Sequence, residues 1–299
     1  MSPRTSTLQV PTRDGGVIEV LTGGDPDGFG LLYHGGSPSA AAEYAPLDRV
    51  AADLGLRLVT YSRPGYGSST PRSAPGRYVD DVEESRTVLD HLGIDGFLTL
   101  GWSGGGPRAL ACAALLPDRC RAAASLAGVA PYDAPGLDWF AGMAEENHAE
   151  YHAAEAGPEA YEAFLDESFT PILDATPEEL TEAMGGLVTP VDREALTPEM
   201  SDWLARTFRR AGAQGTRGVR DDGIAAISAW GFEVGDIRVP VAVWQGRQDA
   251  MVPFAHGEWL AGHVPGAQAH LLDDEGHISL VHRLDEVLAD LERLAGLRA

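Results

Sequence analysis

The stretch Thr99–Ala111, TLGWSGGGPRALA, sets one serine among four glycines, between an apolar run and a helix-like one. Gly101-Trp102-Ser103-Gly104-Gly105 matches the pattern Gly-x-Ser-x-Gly. Between a strand and a helix, that pattern holds a serine hydroxyl on a strained turn, where neighbouring chains pass too close for flanking side chains. The hydroxyl then lies at a helix N-terminus, whose free amides can face a developing oxyanion. The chemistry this suggests is nucleophilic attack on a carbonyl.

A serine hydroxyl is a weak nucleophile at its own pKa and needs a base oriented by a third group. The chain offers both, in the order Ser, Asp, His. VAVWQGRQDAMVP puts Asp249 in the loop after an apolar strand, and AHLLDDEGHISL puts His277 just after the next. Strands of a parallel sheet end on one edge, so these residues can meet over Ser103. Asp273, Asp274 and Glu275 compete for the acid's role but stand too near His277 in sequence to support it from below. Asp133, leaving the short strand near Ala127, is the better reserve. The oxyanion donors are expected to be the amides of Gly104 and of Gly36, the latter in the His34-Gly35-Gly36 loop after LLYH. His34 itself has two readings, a side chain that orients this loop by hydrogen bonds or a buried core histidine.

Those loops require a sheet to carry them. TLQV and VIEVLT flank Asp14-Gly15-Gly16 as a hairpin, and FGLLYH, LRLVTYS, GFLTLGW, AAASLAG, VPVAVWQG and AQAHLLD read as further strands. EYAPLDRVAADLG, YVDDVEESRTVLDHLG, GPRALACAALLP, FAHGEWLAGHV and a closing segment from Ser279 carry helical patterns. This alternation predicts an α/β fold with a mostly parallel sheet covered on both faces. From Pro131 to Trp230 the strand-like runs vanish. LDWFAGMAEENHAEYHAAEAG, PEAYEAFLDESF, PEELTEAM and EMSDWLARTFRRAG read as helical and acidic. The expected organisation is a core over residues 1–130 and 231–299, interrupted by a helical insertion over 131–230.

Composition narrows the function further. The chain has 45 acidic against 22 basic residues, a formal net charge of -23, which repels phosphate backbones and anionic lipid. Every basic residue is arginine, so chemistry that needs an ε-amine (a Walker lysine, a Schiff base, a Ser–Lys dyad) is excluded. No apolar run reaches transmembrane length, and MSPRTSTLQV lacks a signal-peptide apolar region. Cys112, within ALACAALL, reads as a buried reduced thiol; with Cys120 the only other cysteine, a cytoplasmic, disulfide-free protein is expected.

Taken together, HGGSP, SRPGYGSS, GWSGGG, QGRQDAMVP and EGHISL resemble the α/β-hydrolase superfamily. The resemblance implies an eight-stranded, mostly parallel sheet with helices on both faces and a helical cap inserted between the sixth and seventh strands. It implies a Ser103–His277–Asp249 triad, an oxyanion hole from Gly36 and Gly104, a pocket between core and cap, and neither cofactor nor metal. Serine at position 103 argues against dehalogenation and epoxide opening, which use aspartate there. Proline iminopeptidases share HGG-S-P and RPGYG, but their elbow carries a bulkier second half than GWSGGG.

Within the insertion, most of Trp139, Phe140, Met143, Tyr151, Phe164, Phe169, Trp203 and Phe208 are expected to bury against the sheet domain or each other, with a few lining a pocket. His148 and His152 have metal-compatible spacing but lack the H-E-x-x-H arrangement; Glu145, Glu146, Glu150 and Glu155 read as a solvated face, with the alternative that they hold a substrate amine, which would favour the aminopeptidase reading. The expected function is hydrolysis of a small-molecule ester, lactone or related acyl compound through an acyl-enzyme on Ser103. Rivals are an aminopeptidase or amidase, a lyase or perhydrolase using the same residues, and a ligand receptor without turnover. Neither nucleic acid nor membrane is an expected partner, and self-association into a homo-oligomer is compatible with the sequence.

Overall fold

Strands with both faces covered are apolar nearly throughout, as FGLLYH, FLTLGW and VAVWQG are here. The computed structural model describes residues 5–298, so residues 1–4 and 299 of the expected core segments lie outside it. The strands are β1 (Ser6–Pro11), β2 (Val17–Gly24), β3 (Phe29–His34), β4 (Leu56–Tyr61), β5 (Phe97–Trp102), β6 (Cys120–Leu126), β7 (Val241–Gly246) and β8 (Gln268–Leu272). They form one sheet in the order β1-β2-β4-β3-β5-β6-β7-β8. β2 pairs antiparallel with β1 and with β4, and every other neighbouring pair is parallel.

Successive side chains on a strand point to opposite faces, so the sheet feeds two cores. Leu31 and Tyr33 of β3 join Ala242 and Trp244 of β7 on one face, while Leu32, Val241 and Val243 lie on the other. Helices α1 (Ala45–Asp53), α2 (Asp81–His91) and α3 (Gly106–Leu115) fall between the early strands. Six more, α4 (Glu145–Glu155), α5 (Pro158–Ser168), α6 (Pro177–Ala183), α7 (Pro190–Ala195), α8 (Pro198–Ala211) and α9 (Arg217–Ala226), separate β6 from β7. The last are α10 (Phe254–His263) and α11 (Leu284–Leu294). Leu47 of α1 and Leu288 of α11 share the core of Leu31, whereas Leu89 of α2, Leu110 of α3 and Leu260 of α10 share that of Leu32.

The helices between β6 and β7 have explicit start signals. α6, α7 and α8 each begin with Pro after a threonine, and Thr176, Thr189 and Thr197 accept the amides of Glu179, Asp192 and Met200. Threonine satisfies an orphan amide at the cap, and proline fits the first helical position because its missing N–H costs nothing there. The segment LDWFAGM departs from the expected helix and forms turns, with Gly136 at φ +80 and Gly142 at φ +93 breaking it. Helices α7 and α9 escape the periodicity reading, being short or interrupted by Gly218 and Gly223.

The tightest backbone contact lies where β5 leaves the sheet. A Cβ on Gly101 would stand 2.0 Å from the carbonyl oxygen of Gly105. Gly101→Ala is therefore expected to lower unfolding free energy by about 1–3 kcal/mol, the usual scale of overpacking. Gly235→Ala, where a Cβ meets open space, is expected to stay within about 0.5 kcal/mol of the parent. Urea denaturation of both variants checks the contrast.

Candidate active site

The site begins with a backbone constraint. After Trp102 the chain leaves β5, makes a single 3-10 turn over Ser103–Gly105 and enters α3. Ser103 takes φ +56, in the left-handed region. Gly105 passes so close to β3 that a Cβ there would lie 2.0 Å from the carbonyl oxygen of His34. On the other side, a Cβ on Gly36 would lie 3.1 Å from Ser103 Cβ and 3.6 Å from its Oγ. The β3–α1 loop thus presents Gly36 backbone directly to the serine, with the Gly104 amide following it at the mouth of α3.

The strands β7 and β8 run parallel to β5 and deliver the other two residues at the same edge. Asp249 Oδ2 meets His277 Nδ1 at 2.8 Å, with both residues buried. Its other oxygen accepts the Met251 and Val252 amides, each at 2.8 Å, and Gln245 Nε2 adds a third donor at 3.0 Å to Oδ2. That shell aims the carboxylate at the imidazole. Trp102 closes the back of the pair, its ring centroid 5.4 Å from that of His277 and its indole N–H donating to the His277 carbonyl.

Burial pulls the His277 imidazole down, but the Asp249 carboxylate outweighs it, with help from Asp192, and the net shift is upward from 6.5. Asp192, fully buried on α7, also accepts the amides of His277, Ile278 and Ser279 at 3.1, 2.7 and 3.0 Å. Glycine at 276 permits this approach, since a Cβ there would stand 2.5 Å from the carboxylate.

Ser103, His277, Gly36 and Gly104 all line one cavity of about 370 Å³ beneath the inserted helices. Among the described residues, no side chain is hydrogen-bonded to Ser103 Oγ. Serine–imidazole bonds commonly tighten only in the Michaelis complex.

A family model described as "alpha/beta hydrolase fold" matches residues 31–283. The chain belongs to the α/β-hydrolase fold family. Among curated relatives, the uncharacterized hydrolase YcgS of Bacillus subtilis is 23% identical over 283 residues, covering 93% of each chain. The poly(3-hydroxyalkanoate) depolymerase of Ectopseudomonas oleovorans is 26% identical over 242 residues, 79% of this chain and 74% of that one. A thermophilic esterase structure from Thermogutta terrifontis superposes with a TM-score of 0.69 at 17% identity, covering 98% and 99% of the two chains, which is a likeness of fold.

Within this α/β-hydrolase frame the rival acids are engaged elsewhere or displaced. Asp273 pairs with Arg247, Glu275 with Ser279 and Arg283, and Asp133 is exposed. His34 packs in the core against Tyr61 and Cys112, and burial brings its pKa down to about 3. It does not hold the Gly36 loop through its side chain; Arg63 does. Cys112 is buried, its thiol pushed up to about 12 by burial.

The insertion contributes more to the cavity than its sequence suggests. Tyr151, Phe164, Phe169, Trp203 and Phe208 line it, rather than only packing helices together. Glu146 and Glu150 also face it, which corrects the reading of all four α4 glutamates as a solvated face. Glu150 accepts the Tyr161 hydroxyl at 2.7 Å; burial and the charge of Asp222 nevertheless raise its pKa. His148 and His152 lie beside Phe140, and His152 bonds Glu155.

Four charged residues behind the cavity escape the sequence reading: Arg63, Arg108, Asp192 and Asp222. The available signal was an arginine inside the apolar run GPRALACAALL, since charges buried in such a helix must be paired.

An NMR titration of His277 is expected to give a midpoint above 6.5. Asp249→Asn removes the charge that opposes desolvation, so the midpoint is expected to fall below the parent's; an unchanged midpoint would show that Asp249 does not control the imidazole.

Proposed function

We propose that this protein is a serine hydrolase of neutral, largely apolar carboxylic esters, acting through an acyl-enzyme on Ser103. The observation that carries the reading is the left-handed Ser103 against Gly36, sharing a cavity with an imidazole whose Nδ1 is occupied by buried Asp249. With Nδ1–H donated to Asp249, Nε2 of His277 is free to accept a proton.

Ser103 Oγ attacks the ester carbonyl as His277 Nε2 takes its proton, and the Gly36 and Gly104 amides hold the resulting oxyanion. Collapse breaks the bond to the alcohol oxygen, which receives that proton from His277. Water then attacks the acyl-enzyme with the same base, and the carboxylic acid leaves. The strained φ of Ser103 and the loop packing hold these groups before substrate arrives, so little reorganisation is needed at the moment of reaction.

Cavity chemistry supports a neutral substrate. Phe164, Leu165, Phe169, Ile172 and Phe208 form an apolar wall, and among the described residues the wall contains no arginine. Its charged members are Glu146, Glu150 and Asp222. Asp222 is already paired with Arg63 and Arg108, so an anionic acyl group would enter an apolar space facing Glu146 and Glu150, with no arginine in the lining to pair it. Kinship to the poly(3-hydroxyalkanoate) depolymerase is also compatible with ester chemistry.

The test is a panel of 4-nitrophenyl butyrate, its succinate half-ester counterpart, lactones, thioesters and aminoacyl arylamides. Butyrate is expected to exceed the anionic ester by at least about tenfold in kcat/KM, which corresponds to roughly 1.4 kcal/mol. Ser103→Ala is expected to lower turnover by about 10⁴-fold or more. Faster arylamide cleavage would favour the aminopeptidase reading, and tight retention of ester without product would favour a receptor. Retained turnover in Ser103→Ala would overturn the mechanism.

The pH profile gives a second check. Only neutral His277 can accept the serine proton, so kcat/KM is expected to rise with pH through a midpoint above 6.5, and Asp249→Asn is expected to move that limb downward while reducing the plateau.

A further inference from the structure

The cavity wall holds one residue that substrate chemistry does not require. Asp222, on α9, comes from the inserted segment, yet its carboxylate is buried against two arginines of the core. Arg63 donates to it through Nε at 3.1 Å and through Nη2 at 2.5 Å, and Arg108 through Nη2 at 2.6 Å. Ser37 Oγ and the Tyr66 hydroxyl add donors at 2.5 and 2.8 Å. Burial would raise such a carboxyl, but Arg108 and Arg63 outweigh it and hold the pKa down to about 2.

Both arginines also donate to the loops beside Ser103, and Arg108 gives its Nε to Asp81 at 2.6 Å. Arg63 Nη1 donates to the Gly35 carbonyl at 3.0 Å and Nη2 to the Gly36 carbonyl at 2.8 Å. Arg108 Nη1 donates to the Gly104 carbonyl at 2.6 Å. The Gly35 carbonyl and the Gly36 N–H belong to one planar peptide, so fixing the oxygen aims the hydrogen. A guanidinium on the oxygen also polarises that N–H, strengthening what it can donate. Glycine has no side chain to restrain this peptide, which makes an external brace necessary.

Contact between the segments is built for this purpose. Gly65, at φ +86 in the RPGYG turn, leaves room for Gly218 of α9, since a Cβ on Gly65 would lie 3.1 Å from Gly218 Cα. Gly218 packs against Tyr66 in turn. That close approach brings Asp222, one helical turn further on, between Arg63 and Arg108. Without a carboxylate there, Arg63 would lose the acid it pairs with while still facing the Arg108 guanidinium, which Asp81 also holds, and would no longer be fixed at the Gly35 and Gly36 carbonyls.

We propose that Asp222 is a positioning residue for the oxyanion hole: through Arg63 on the Gly35 carbonyl, it makes the docked insertion a condition for a correctly aimed Gly36 amide, while Arg108 ties the Gly104 carbonyl to the same carboxylate. The inference rests on the acyl-enzyme reading, in which the Gly36 amide receives the oxyanion. Asp222 touches no reacting atom, so its effect is confined to states in which negative charge has formed on the substrate oxygen.

That confinement is the basis of the test. Parent, Asp222→Asn and Arg63→Lys are compared for turnover of 4-nitrophenyl butyrate, and for binding of an alkyl trifluoromethyl ketone and of its unreactive carbinol. The ketone forms a hemiketal oxyanion on serine, whereas the carbinol occupies the cavity without one. In Asp222→Asn, kcat is expected to fall at least about tenfold, part of the 10²–10³ lost when an oxyanion donor is removed outright. Ketone affinity is expected to fall by a similar factor, with KM and carbinol affinity within about twofold of the parent, the signature of an interaction made only in the transition state.

Should Asp222→Asn fail to fold in a thermal melt, Arg63→Lys is read in its place, because lysine keeps the charge opposite Asp222 but cannot hold both glycine carbonyls. Unchanged kcat and ketone affinity in a folded variant would overturn the proposal. So would equal weakening of ketone and carbinol, which marks a generally disordered cavity. Retained turnover in Ser103→Ala would instead defeat the acyl-enzyme reading itself.

Discussion

The backbone packing around Gly101 and Gly105 governs the geometry of this molecule's cavity. At Gly101 a side chain would collide with the Gly105 carbonyl, and at Gly105 it would collide with the His34 carbonyl. The ends of β3 and β5 and the start of α3 are therefore pressed together with no intervening side chain. Such contact leaves the chain few ways to turn, and Ser103 is held in a left-handed conformation that L-residues otherwise avoid. The position of Gly36 against Ser103 follows from that packing. The parallel sheet adds the rest, since β7 and β8 end on the same edge and carry Asp249 and His277 to it.

Around this centre the inserted segment behaves as part of the site's framework. Asp192 of α7 takes three consecutive amides of the His277 loop, and Asp222 of α9 takes Arg63 and Arg108 behind the glycine loops. A third tie joins Arg210 of α8 to buried Glu19 on β2. Buried ion pairs contribute little net stability, because desolvation offsets their attraction. What they supply is direction: each ends on a backbone group or a partner whose orientation the cavity depends on. In the proposed reaction, base and oxyanion hole are each braced from the insertion, so the segment has a role besides covering substrate.

Much of the fold was legible because its signals are local. Most of the eight strands coincide with an apolar run bounded by turn residues, β1 being marked instead by its hairpin turn, and most helices follow a 3.6-residue pattern. The Ser103 turn could be recognised because close backbone approach demands glycine at particular positions. Asp249 was separable from Asp273 and Glu275 because those two stand too near His277 in sequence to support it, and it is the carboxylate that meets His277. LDWFAGM was misread because glycines at positive φ, Gly136 just before it and Gly142 within it, outweigh an apolar pattern. His34 was ambiguous because a histidine's burial is not encoded in its neighbours, and Cys112 and Tyr61 reach it from distant segments.

By itself, the sequence determined the element types, the parallel order of the chemistry-bearing loops and the identity of the residues carried at their tips. These depend on steric and periodic rules acting over a few residues. Tertiary structure alone decided which carboxylates are solvated and which are buried. Glu145 remains exposed while Glu150 faces the cavity, and of two buried neighbours Asp221 pairs with adjacent Arg220 while Asp222 is locked between Arg63 and Arg108. The physical reason is that a carboxylate's role depends on the dielectric and the donors around it. In this chain those donors lie 159 and 114 residues away from Asp222, beyond the reach of any local pattern.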